Sequence, residues 1–240
     1  MEIEFRSRPC EKHKSSVGGQ MICSNRWRAG LVALAIQTIT PLVPAAAASV
    51  TAQINDDAGH PLPFAVLTLT GAGGSTPKMA PASNLSAKII DQRDETFVPY
   101  VVAIVAGGAV TFRNSDTTRH HVYTFAPIHP FEFILKPGDI SVPQVFDKPG
   151  VAAIGCNIHD HMIAYVYVSK TPLTAISDHD GRAIIDAVPP GSYSVDIWYP
   201  QLKPGMTVPS GTVVVGSVPA SITASIPAVP HVDDMMDDMN

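Results

Sequence analysis

From residue 49 onward the chain alternates apolar and polar positions in short runs, broken at close intervals by Gly, Pro, Asn and Asp. Runs of Val, Ile, Thr and Tyr with a two-residue period predict strands, because successive side chains on a strand point to opposite faces. Strands are expected at 49–54, 65–70, 101–105, 109–113, 121–125, 131–135, 141–146, 151–156 and 164–168. The breaks carry turn chemistry: Asp56-Asp57-Ala58-Gly59, Gly107-Gly108, Asn114-Ser115-Asp116, Pro137-Gly138 and Pro149-Gly150. Beyond residue 170, Ala183 and Ile185 share one face, and Tyr193, Val195 and Ile197 share a face of the next strand. Asp180-Gly181 and Pro190-Gly191 are the turns there. Helix is hard to place after residue 50, and 82–91 is ambiguous. The fold class is all-β: a β-sandwich over 49–170, then a smaller one over 171–226. Strands 49–70 are expected to join the first sandwich or to form a small lid.

Composition adds a core and a leader. Of 240 residues, 45% are hydrophobic and 15% charged, which supports a buried core and argues against general disorder. Arg26 and Arg28 precede the apolar run 29–39; Pro41, Pro44 and the alanines at 45–48 follow. A positive region, a short apolar core and an A-x-A site make 1–48 a secretory signal. A membrane anchor needs about 20 apolar residues, and Thr38, Thr40 and Pro41 interrupt this run. The mature protein is therefore expected in the periplasm without a membrane span. Residues 1–48 hold six of the 16 basic and three of the 21 acidic residues, so their removal leaves a net charge of −8. Four of those acids, Asp233, Asp234, Asp237 and Asp238, lie in the Met-rich tail 227–240, read as disordered. No basic patch points to nucleic acid.

Cysteine usage locates the chemistry. Cys10 and Cys23 fall in the leader, so Cys156 alone survives and no intrachain disulfide can form. In "GCNIHDHMIAYVYV", 155–168, a thiol, an imidazole and a thioether crowd the loop before a strand: Cys156, His159 and Met162. Thiolate and thioether suit copper, and imidazole suits copper and zinc. A His-His-Cys set with a weak axial Met is an electron-transfer arrangement for copper. The missing imidazole is on offer in "FRNSDTTRHHVYTF", at His120 or His121. Neighbours on a strand alternate, so only one of the two can face a site. His161 is expected to be exposed beside His159.

These motifs resemble the cupredoxins, the plastocyanin and amicyanin group of blue copper proteins. Cys156-x2-His159-x2-Met162 has the compact spacing of the amicyanin-type loop. Asn114-x-Asp116-x3-His120 followed by Val122 is similar to the family segment that carries the first ligand. The resemblance implies a Greek-key sandwich and one copper ion held by His120, Cys156, His159 and Met162. His121 takes the place of the usual Asn, Arg119 that of the usual Pro, and His161 that of the usual aromatic residue. Residues 90–200 resemble exported cupredoxin-like chains labelled methylamine-utilisation proteins, through "HHVY", "FDKPG" and "GCNIHD". "DGRAIIDAVPPGSYSVDIW" resembles a carboxypeptidase-regulatory or transthyretin-like module.

The expected function is one-electron transfer to or from a redox protein partner. The alternatives are a periplasmic copper carrier, using the extra His and the Met-rich tail, and a metal-free interaction module. No G-x-S-x-G, H-E-x-x-H or phosphate loop is present. A Cys156–His159 nucleophilic pair lacks any marked oxyanion hole. The chain is read as an electron-transfer protein, not an enzyme.

Overall fold

The computed structural model describes residues 47–72, 87–202 and 210–228. The expected leader 1–48 and tail 227–240 lie outside them except for residues 47–48 and 227–228, and there Ala48 opens a strand and Ala228 is buried and bridged to Leu202. Of the ambiguous stretch 82–91, Lys88 onward is strand. Among the described residues there is no α-helix, and no helix is long and apolar enough to cross a membrane. The protein is all-β.

Nine strands build the sandwich that carries the site. They are β3 (Lys88–Arg93), β4 (Thr96–Val98), β5 (Val101–Val105), β6 (Gly108–Asn114), β7 (His120–Thr124), β8 (Phe131–Leu135), β9 (Gln144–Phe146), β10 (Gly150–Cys156) and β11 (Ile163–Ser169). To keep chain order, β1 (Ala48–Asp56) and β2 (Val66–Gly71) precede them. One sheet runs β5-β11-β10-β7-β8 and the other β4-β3-β6-β9. Alternation is the cause: every second residue of β6 and β7 is buried. Phe97, Phe112 and Phe146 meet Val122, Ile154 and Met162 between the sheets. Removing such a side chain from water is worth about 1.5–3 kcal/mol. Strand β9 is shorter than the expected 141–146, because Pro143 has no N–H to give a ladder. Ser141 pairs in its stead through its side chain, whose Oγ accepts the Phe112 N–H at 2.9 Å.

The second sandwich is made from both ends of the described chain, and this corrects the expected grouping. Strands β12 (Thr174–Ile176), β13 (Arg182–Val188), β14 (Gly191–Trp198), β15 (Gly211–Val215) and β16 (Ala220–Ile226) are joined by β1 and β2. The sheets are β13-β1-β16 and β12-β2-β14-β15. Residues 48–71 thus neither join the first sandwich nor form a lid. The inward face of β1, Val50, Ala52 and Ile54, closes on Ala183, Ile185 and Ile226, while Leu67 and Leu69 of β2 pack with Val195 and Ile197. The first sandwich is an insertion between β2 and β12.

The two sandwiches share a buried seam. Ala164, Val166 and Val168 of β11 face the first core. Ile163, Tyr165 and Tyr167 face Phe64, Tyr100 and Trp198 of the seam. Tyr165 and Trp198 meet edge to face with centroids 5.5 Å apart. Strand β11 is thereby covered on both sides, which fixes the strand that follows the Cys156 loop.

Candidate metal centre

Two strand ends meet at the site. β7 and β10 are antiparallel neighbours with Cys156 opposite Val122, so the start of β7 lies beside the end of β10. The Asn157 N–H donates to the His121 carbonyl at 3.0 Å and extends this pairing into the loop. His120 is fully buried and Cys156 is 4% exposed. Cys156 Sγ lies 3.6 Å from His120 Nδ1 and 4.0 Å from His159 Nδ1. The three donor atoms are all within 4.8 Å of one another. Met162 is buried in the same cluster as Cys156 and lines with it a small cavity of about 210 Å³. Its N–H donates to the His159 carbonyl at 3.1 Å, closing the loop.

The surroundings of each imidazole settle its orientation. His120 Nε2 donates to Asp116 Oδ2 at 2.7 Å, which turns the Nδ1 lone pair toward the sulfur. Asn114, fully buried, builds the loop that holds Asp116. Its Nδ2 donates to the Thr118 and Leu135 carbonyls at 2.8 and 3.0 Å, and its Oδ1 accepts the Asp116 N–H at 2.9 Å. Below this loop, Ser115 Oγ donates to Asp91, which also pairs with Arg113. Burial alone would raise the Asp91 carboxyl, but the Arg113 and Ser115 hydrogen bonds outweigh it and hold it below its ordinary value.

His159 is the open member, with 21% of its side chain exposed. Its Nε2 stands 3.5 Å from Glu95 Oε1. His121 projects from the other face of β7, accepting from Asn157 Nδ2 at 3.4 Å, with Nε2 3.9 Å from Glu132. His161 is exposed and donates from Nε2 to the Glu95 carbonyl at 3.1 Å. The fold therefore gathers His120, Cys156 and His159, and leaves His121 and His161 out of the cluster. Asp116 was visible in the sequence only as part of the Asn114-x-Asp116 motif; its i, i+4 spacing to His120 is the signal for its role. Glu95, 25 residues before His120, gives no local signal.

A second cluster, Asp178, His179 and Asp180, lies at the surface, all three residues exposed. Its residues form the turn that delivers Gly181, whose backbone crosses Ile54 closely.

No protein-family model and no curated protein matches the chain. Among solved structures, it is similar to a copper-containing nitrite reductase (NirK) from Thermus scotoductus SA-01, at 25% identity and TM-score 0.31. That match covers 35% of this chain and 22% of the reductase. A purple cupredoxin from Nitrosopumilus maritimus matches at 23% identity and TM-score 0.31, over 34% of this chain and 99% of its own. A point mutant of amicyanin in its Cu(I) state matches at 18% identity and TM-score 0.32, over 43% of this chain and 98% of its own. At such TM-scores these likenesses add nothing to the geometry of the site.

Proposed function

We propose that the chain is an exported mononuclear copper protein that passes single electrons to or from a periplasmic redox partner. The observation that supports this most is the convergence of one buried thiol and two Nδ1 atoms, with Sγ 3.6 and 4.0 Å from them. A thiolate with two imidazoles and a nearby thioether is a donor set that fits copper. His120, Cys156, His159 and Met162 would hold the ion. Copper, when bound there, supplies a reversible one-electron couple.

The residues of this chain supply the rest. Cys156 gives up its proton on binding, so loading releases an acid equivalent. Ligands from two paired strand ends and the loop that follows one of them keep their spacing when the charge at the centre changes. His159 is the most exposed of the three clustered donors, which makes its outer edge the exit for an electron. The second sandwich, proposed as a support, packs on the outer face of β11 and stiffens the strand after the Cys156 loop.

The test is the optical and EPR spectrum of the copper-loaded protein. An intense visible thiolate-to-copper band that vanishes in Cys156→Ala supports the reading. Stoichiometric copper without that band, or more than one ion per chain, supports a carrier. Loss of all copper on dialysis sinks both.

A further inference from the structure

Glu95 belongs to none of the motifs around the site, yet it touches both loops that carry the donors. The β3–β4 hairpin closes in two residues between the paired Arg93 and Thr96. Both closing residues, Asp94 and Glu95, are left-handed, with φ of 51° and 55°. That region is unfavourable for residues other than glycine, and such strain persists only where the surroundings enforce it. Here Asp116 enforces it, its carboxylate accepting the N–H groups of both Asp94 and Glu95. The same carboxylate accepts from His120 Nε2.

The turn then faces the other loop. The Glu95 carbonyl accepts from His161 Nε2, and the Glu95 carboxylate stands 3.5 Å from His159 Nε2. One strained turn therefore leans on the outer nitrogens of both imidazoles, one through Asp116 and one directly.

Resting on the copper reading above, we infer that Glu95 is a positioning residue for His159, and that the Asp94–Glu95 turn clamps both imidazoles with Nδ1 toward the sulfur. A carboxylate on the outer nitrogen fixes the tautomer and strengthens the inner nitrogen as a donor. Stronger donation favours Cu(II) over Cu(I) and lowers the reduction potential. The carboxylate also lies at the edge where a partner would meet His159.

Three variants of the full chain test this. Glu95→Gly relaxes the turn while removing the carboxylate. Glu95→Gln keeps an acceptor oxygen. Glu132→Gln removes a nearby charge that faces His121. Expected for Glu95→Gly is a melting temperature no lower than wild type. With it comes an about tenfold fall in the preference for Cu(II) over Cu(I), which is about 59 mV upward for a one-electron couple. Glu95→Gln falls between, and Glu132→Gln matches wild type. An unchanged potential in Glu95→Gly overturns the inference, as does an equal shift in Glu132→Gln. Nitrogen NMR of the His159 ring in the metal-free chain gives a second decision. Wild type should hold the proton on Nε2, and Glu95→Gly should mix the two tautomers; identical spectra refute the clamp. If wild type takes up no copper, the functional reading fails, and the ring spectra still decide the role of Glu95.

Discussion

The Cys156 sulfur lies 3.6 Å from His120 Nδ1 although the two residues are 36 positions apart in the chain. The β7–β10 pairing creates that contact. His120 and Cys156 are consequently brought together by the ladder.

Removing the sulfur should therefore cost the metal chemistry more than the fold. Cys156→Ala leaves a small void in a buried site, expected to lower stability by about 1 kcal/mol. The thiolate band should vanish entirely. Parallel thermal unfolding and absorption measurements check both halves.

Asp116 should matter nearly as much as a ligand. Asp116→Asn keeps the side-chain shape but replaces one carboxylate oxygen with an amide. Copper retention against a competing chelator should fall about 10–100-fold, the usual effect of losing such an outer partner. His121→Ala, on the opposite face, should leave retention within about twofold, by the same reasoning.

Gly155 is held open for an aromatic ring. A Cβ at that position would meet the Tyr123 ring at 2.9–3.1 Å, opposite it across the β7–β10 ladder. Gly155→Ala should destabilise by about 1–3 kcal/mol through overpacking. Tyr123→Ala in the same chain should restore most of that, so a double-mutant cycle in urea should give a coupling well above zero. Additive effects would mean that the ring moves aside freely.

Acid should loosen the loop under His120 through Asp91. Its folded carboxyl is held below the ordinary 3.8 by Arg113 and Ser115, against the opposing pull of burial. A depressed carboxyl contributes stability that is present above pH 3.8 and is lost as pH falls through the lower folded value. Asp91→Asn should thus be less stable than wild type at neutral pH. The gap should narrow below pH 3.8, as followed by urea unfolding across that range. A constant gap would remove Asp91 from the acid response.

The parts of this molecule that were legible in its sequence are those with a local cause. The two-residue period marks β5 and β8 because side-chain alternation is local. The same phase separates His120 from His121. Cys156, His159 and Met162 could be read together because one short loop holds them. What the sequence hid is tertiary. Alternation in β1 says which side chains are buried but not which strand lies alongside, so its pairing with β13 and β16 was invisible. The hairpin at Asp94 and Glu95 was hidden for another reason. It adopts a turn that usually advertises itself with Asn-Gly, and here a carboxylate 22 residues away takes over the task of the glycine.

The parallel pairing of β1 with β16 carries a consequence for biosynthesis. Asp56 accepts a hydrogen bond from Ser225, 169 residues further on. Among the described residues, the first strand in the chain must wait for the last before its sheet can close, whereas β3 to β11 have every partner they need well before. The sandwich that gathers His120, Cys156 and His159 can thus close inside a frame whose sheet still lacks β16.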